Sequence, residues 1–180
     1  AKEKLRPISG FPELLPEERR VELDWIDQIR TIFESYGFTS IEPRIVEPID
    51  VLLKQGDTDK EIYTLGRLLD TPNSDNEPTF GLHYDLTIPM ARYVAANMGK
   101  LDFPFKRYQI QKAWRGERPQ DGRFREFMQC DIDVVDTREV PLHFDVEIPA
   151  IMNQALASIN AGPVFTLSLI HISEPTRQDR

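Results

Sequence analysis

The stretch "FPFKRYQIQKAWRGERPQDGRFREFMQCDIDVV", residues 103–135, alternates in character along two runs separated by a polar interval. In the first run one parity carries Arg107, Gln109, Gln111 and Arg115, and the other carries Tyr108, Ile110 and Trp114. In the second, Arg125, Gln129, Asp131 and Asp133 share one parity, and Phe124, Met128, Cys130, Ile132 and Val134 share the other. A two-residue period is the signature of a pleated strand with two unlike faces, so the spacing predicts a β-hairpin. One face packs on a core and the other meets solvent or ligand. The connection "GERPQDG" is longer than a tight turn, which leaves its arginines free to close over a bound group.

Outward from the hairpin, "PEERRVELDWIDQIRTIFESYGF" (residues 16–38) reads as a helix. Pro16 suits the first turn, Trp25, Ile26, Ile29, Ile32, Phe33 and Tyr36 fall at helical spacing, and Gly37 stands just past the end. "FTSIEPRIVEP" then reads as extended, with Pro43 and Pro48 barring a helix. A helical turn is expected at Ile49–Lys54, a strand in "KEIYTLG" and a polar turn at Asp70–Thr79. "FGLHYDL" reads as a strand running into Thr87, the expected N-cap of a helix closed by Gly99, with Pro89 at its second position. A last helix is expected over Pro141–Ile159, kinked at Pro149.

The 180 residues, 40% hydrophobic and 29% charged, suit one α/β-type domain or a large piece of one. The single cysteine, Cys130, rules out an internal disulfide and fits a reducing cytosol, so a cytoplasmic location is expected. No apolar run approaches the ~20 residues of a membrane span, and no secretory leader opens the chain.

Charge is unevenly spread. Lys106–Arg125 holds seven basic and two acidic residues, so the rest of the chain carries −13 of a net charge of −8. A basic island on an acidic body points to a localised anion such as a polyphosphate, not to a nucleic-acid coat. Guanidinium forks grip phosphate oxygens in pairs and neutralise charge developing at phosphorus. Carboxylates and amides further along the hairpin suit an ammonium or imidazole group, and "HYDLT" adds Asp85 and Thr87 from another strand end. There is no Walker or Rossmann glycine loop, so a nucleotide would be held by side chains.

With "LHYDLTIPMARY", "FKRYQIQKAWRGERPQDGRFREFMQCDIDV" and "DWIDQIRTIFESYGFTSIEP", the chain resembles the amino-terminal catalytic half of histidyl-tRNA synthetase, a class II aminoacyl-tRNA synthetase. The likeness runs from about Leu5 to Phe165. It implies an α+β fold, an antiparallel six- or seven-stranded sheet flanked by helices, and residues 1–166 as a partial class II core containing motifs 1 and 2. The implied activity is that of a histidine–tRNA ligase: ATP-dependent formation of histidyl-adenylate and transfer to tRNA(His), with Mg²⁺ assisting, in a homodimer formed through the first motif.

Residue by residue, Arg115 is similar to the family's arginine on the α-phosphate and substrate carboxylate, and is the expected catalytic group. Glu117 resembles the residue that contacts adenine, and Arg123 the one that reaches the γ-phosphate. Asp85, Thr87, Gln129 and Asp133 resemble the histidine pocket. No metal-binding side chains are assigned. His83 stands where the family usually shows arginine; as a lone strand histidine it reads as structural.

The resemblance also implies a second histidine motif, a motif 3 and an anticodon-binding domain, none of which is in these residues, so the chain alone is expected to be inactive. Instead "LSLIHISEPTRQDR", residues 167–180, back-translates over its first eleven residues into a transposon-end sequencing adapter, and is expected to be foreign to the native sequence. The alternative function is the catalytically silent paralogue that serves as the histidine-sensing regulatory subunit of ATP phosphoribosyltransferase. A plain dimerisation module is a third reading, and it leaves the polar hairpin face unexplained.

Overall fold

The computed structural model describes residues 6–53, 61–66, 79–159 and 162. Most of the polar turn expected at 70–79 and all of the segment 167–180 lie outside the described residues. In chain order the elements are α1 (Pro16–Ser35), β1 (Thr39–Ser40), β2 (Val46–Pro48), α2 (Ile49–Leu52), β3 (Thr64–Leu65), β4 (Phe80–Leu82), α3 (Thr87–Asn97), β5 (Phe105–Trp114), β6 (Glu126–Val135) and α4 (Phe144–Ser158).

The hairpin forms as its alternation requires. β5 and β6 pair antiparallel over ten positions, from Phe105 opposite Val135 to Trp114 opposite Glu126. This register sets Arg107 against Asp133, Gln109 against Asp131 and Gln111 against Gln129, so like parities share a face. β1 lies parallel to β5 on its other edge. The six strands of the described residues divide into two three-stranded sheets, β1-β5-β6 and β2-β4-β3, and the second is antiparallel.

The even-numbered face of the hairpin is the core. Tyr108 packs with Phe33, Phe38, Ile151 and Ala155, backed by Ile110, Cys130, Ile132 and Val134. α1 and α4 therefore cover this face, tied to each other by Tyr36 Oη donating to Gln154 at 2.7 Å. A second cluster, Ile41, Met90, Val94 and Phe105, seats α3. Two residues expected in the core depart from it: Trp25 (37% exposed) and Phe124 (46%). Phe124 precedes β6.

α1 starts at Pro16 with Glu18 reaching back to accept from the Leu15 N–H at 2.8 Å, half of a capping box. It ends at Gly37, whose φ is +79°. There the Gly37 N–H donates to Glu34 O at 2.9 Å and the Phe38 N–H to Phe33 O at 3.1 Å, a Schellman closure that drops Phe38 into the core beside Phe33. A Cβ at Gly37 meets no atom within 4 Å, so only the backbone resists substitution. Gly37→Ala is expected to cost about 1 kcal/mol, read as a lower denaturation midpoint; an unchanged midpoint contradicts the closure.

Two expectations shift. Thr87 is the first residue of α3, not its cap, and Pro89 is the third; the carboxylate that meets the helix start belongs to Asp85, whose Oδ1 accepts from Thr87 N at 3.2 Å and Ile88 N at 3.4 Å. Asp85 and Thr87 are both good caps, and the bend after β4 turns Asp85 toward the free N–H groups. Gly99 does not end the helix cleanly: Met98–Lys100 continues as a 3₁₀ turn.

His83 joins the two sheets. Its N–H donates to Ile45 O at 3.0 Å, its carbonyl accepts from Trp114 N at 3.2 Å, and its ring Nε2 lies 2.6 Å from Lys112 O. A carbonyl only accepts, so Nε2 carries the hydrogen. The side chain is fully buried and lies against Trp114, which makes it a structural pin.

Candidate functional site

The odd-numbered face of the hairpin is polar yet largely withdrawn from solvent. Arg107 and Gln109 are fully buried and Gln111 nearly so. Burying a guanidinium requires partners, and these are ordered along the strand. Arg107 Nη2 bonds Asp133 Oδ2 across the register, and Arg107 Nη1 donates to Gln109 Oε1 at 3.4 Å. Gln109 Nε2 donates to Gln111 Oε1 at 2.6 Å, and Gln111 Nε2 to Pro43 O at 3.0 Å. Such a directional chain leaves each amide one orientation. On β6, Gln129 Nε2 donates to Asp131 Oδ2 at 3.1 Å. Gln129 Oε1 and Arg107 Nε are buried without a partner, one acceptor and one donor on a single face.

Asp85, Asp131 and Asp133 lie within electrostatic reach of Arg107 and of one another, and Arg115 reaches Asp131. Burial pushes the Asp131 and Asp133 carboxyls up, with Arg107 opposing it, and burial pushes the Arg107 guanidinium down. Three carboxyls against two guanidiniums favour a ligand that brings its own positive charge. A carboxyl raised in the folded state holds its proton longer than in the unfolded chain. Its contribution to stability is therefore largest near and below pH ~4 and is lost as pH rises through the folded value. Asp131→Asn is thus expected to gain stability relative to the parent as pH rises from ~4 to 7 in denaturant titrations. A relative loss over that range contradicts the assignment.

The loop between the strands is built around Arg115. Its guanidinium carbon stands 4.5 Å from the Tyr84 ring centre and 5.0 Å from that of Phe127, and its Nε donates to Tyr84 O at 3.3 Å. Glu117 accepts from Tyr84 Oη at 3.2 Å and pairs with Arg123 Nη1 at 3.1 Å. Gln120 and Arg123 exchange backbone bonds of 3.2 and 2.9 Å around Asp121-Gly122, a two-residue turn inside the longer loop. The loop base is clasped from both sides. Gly10 O accepts from Arg125 N at 2.7 Å and Glu126 N at 3.1 Å, and Gly116 N donates to Glu61 O at 2.7 Å. A Cβ on Gly116 would lie 3.0 Å from that oxygen, so any larger residue would make the Glu61 backbone give by a few tenths of an ångström.

Of the expected site residues, Arg115, Glu117 and Arg123 gather in the loop, while Asp85, Gln129 and Asp133 border the polar face. Thr87 is exposed and enters through its backbone N–H to Asp85. Arg107, Asp131, Tyr84 and Glu61 were not singled out. Parity placed Arg107 and Asp131 on the right face; nothing local in the sequence points to Tyr84 or Glu61. Among the described residues no group of three or more His, Cys, Asp or Glu side chains is arranged to hold a metal, and no helix is long and apolar enough to cross a membrane.

A family model described as Histidyl-tRNA synthetase matches residues 10–174, which carries the match into the segment expected to be adapter. The chain is 56% identical over 163 residues to the histidine–tRNA ligase of Thermobifida fusca, covering 91% of this chain and 37% of that protein. It is 54% identical over 157 residues to the ligase of Bifidobacterium longum subsp. infantis, covering 86% and 34%. It thus spans about a third of the length of these curated relatives. The crystal structure of histidyl-tRNA synthetase from Nostoc sp. PCC 7120 superposes with a TM-score of 0.75 at 42% identity, over 88% of this chain and 35% of that one. An ATP phosphoribosyltransferase regulatory subunit/histidyl-tRNA synthetase from Bacillus halodurans shares the fold, with a TM-score of 0.73 at 20% identity over 90% of this chain and 40% of that one.

Proposed function

The chain belongs to the histidyl-tRNA synthetase family, and from that membership we propose that it supplies the ATP-binding loop and part of the histidine pocket of a histidine–tRNA ligase. Residues 1–166 are then a partial class II catalytic core. The observation that carries this reading is the continuity of one hairpin. A loop of oriented arginines, with Arg115 held between two rings, runs directly into a strand whose Gln129, Asp131 and Asp133 border a carboxyl-rich face.

In this reading Arg115 neutralises the α-phosphate and the histidine carboxylate as the carboxylate oxygen attacks phosphorus in line. The pyrophosphate leaves with the bonding pair, and histidyl-adenylate remains. Arg123 holds the γ-phosphate and Glu117 the adenine. The α-ammonium and imidazole fall to Asp85, Gln129 and Asp133, with the unpartnered Gln129 Oε1 as an acceptor for an N–H. Catalysis of this kind rests on positioning and charge neutralisation more than on proton transfer. Bound together with ATP, Mg²⁺ would supply further neutralising charge beside the phosphates, with no side chain assigned to hold it. The transfer partner is tRNA(His), the working form a homodimer and the compartment the cytoplasm. The loop geometry favours an ATP-using ligase over the histidine-sensing regulatory subunit.

The chain covers about a third of its relatives, so whole-reaction tests use a chimera in which residues 10–166 replace the matching segment of the Thermobifida fusca ligase. Calorimetric titration of that chimera with histidine is expected to saturate at one site per chain. Asp133→Asn, which removes a full charge beside the ligand, is expected to weaken it by about tenfold or more. A folded chimera that takes up no histidine contradicts the proposal.

A further inference from the structure

Tyr84 belongs to none of the roles above, yet it touches two of the loop's three working residues. It sits between the buried pin His83 and Asp85, so its backbone is fixed by the sheet junction on one side and the start of α3 on the other. Its ring carries the Arg115 guanidinium at 4.5 Å, its carbonyl accepts from Arg115 Nε at 3.3 Å, and its hydroxyl donates to Glu117 Oε1 at 3.2 Å. Glu117 in turn pairs with Arg123, and its carbonyl accepts from Arg125 Nε at 3.0 Å. The loop's backbone anchors at Gly10 and Glu61 lie at its base. Without Tyr84 the Arg115 fork would lose one of its two rings, and the Glu117 carboxylate would keep its pairing with the largely exposed Arg123.

We propose that Tyr84 is the positioning residue of the nucleotide loop: its ring is the shelf that aims the Arg115 guanidinium, and its hydroxyl sets the Glu117 carboxylate. The inference rests on reading that loop as the ATP site. The two functions are separable because the ring acts on one residue and the hydroxyl on the other. Burial, with Glu61 close to the hydroxyl, pushes the phenol up to about 12, so it stays a donor across the working pH range.

The test compares the 180-residue chain with Tyr84→Phe and Tyr84→Leu by calorimetric titration with ATP, thermal melting, and the NMR signal of the Arg115 side-chain Nε–H, identified by its loss in Arg115→Lys. Tyr84→Phe keeps the shelf and loses one hydrogen bond to a charged group, so ATP affinity is expected to fall about tenfold with the ring-shifted Arg115 signal retained. Tyr84→Leu loses both functions. Its affinity is expected to fall about 100-fold and the Arg115 signal to move toward that of a solvent-exposed arginine. Phenylalanine thus restores the signal but not the full affinity. Parental ATP affinity in both variants, or an Arg115 signal unmoved in Tyr84→Leu, overturns the proposal. So does affinity that falls only in step with the melting temperature. A chain that takes up no ATP, but whose Arg115 signal moves in Tyr84→Leu, overturns the nucleotide reading and leaves Tyr84 as the shelf beneath Arg115.

Discussion

Arg115→Ala in the chimera is expected to lower histidine-dependent exchange of pyrophosphate into ATP by about 10³-fold or more, with the fold intact. The guanidinium is held by stacking on Tyr84 and Phe127 and by one bond to a carbonyl, so it arrives oriented and pays little to reorganise at the moment of reaction. In the proposed role, its removal takes away charge neutralisation where the attacking carboxylate and the α-phosphate, both anionic, would approach. Stability should barely change, because the partly exposed side chain makes one hydrogen bond, to a carbonyl. Arg115→Lys should recover only a small part of the loss, since an ammonium has neither the planar stack nor the paired donors. Cys130→Ala, on the opposite face of the hairpin, serves as the control: burial pushes its thiol up to about 11, and it is expected to leave exchange near the parental rate. Equal effects of the two alanine substitutions would undercut the assignment.

The second large effect concerns folding. Arg107 is fully buried and its principal partner is Asp133, itself more accessible. Arg107→Met leaves Asp131 and Asp133, neighbours on one strand face, without the cation they share, and Asp133→Ala leaves a buried guanidinium that has lost its carboxylate and still donates to Gln109. Each single change is expected to destabilise by about 3 to 5 kcal/mol, read from denaturant titration. The pair Arg107→Met with Asp133→Leu removes both charges and is expected to recover much of that loss while histidine affinity stays reduced. Single variants within about 1 kcal/mol of the parent, or a double variant as unstable as the two losses added, would show that the pair does not organise the face.

The hairpin, its register and its parity were legible in residues 103–135, because the pleat imposes a two-residue period that the sequence obeys. The start and end of α1 were legible for a similar reason: Pro16 and Gly37 are read from backbone chemistry alone. The burial of the polar face was not. Alternation tells two faces apart but not which one is covered, and the groups around Arg107 include Asp85 and, through two glutamines, Pro43, both distant in the chain. Thr87 and Asp85 are both competent caps, and only the bend after β4 chooses between them. Tyr84 and Glu61 escaped notice because their partners lie on the loop at Arg115–Glu117, a contact made by topology and not by any local pattern. His83 reads as structural from the sequence and is structural, although its role in joining two sheets becomes visible only once both exist.

The arginine loop and the polar strand of one hairpin are proposed to receive ATP and histidine together. The most direct measurement is exchange of labelled pyrophosphate into ATP by the chimera, with each amino acid supplied in turn. Exchange that requires histidine, and that falls when either Arg115→Ala or Asp133→Asn is introduced, is the predicted result. A folded chimera that exchanges with no amino acid, or equally well with all of them, would contradict it.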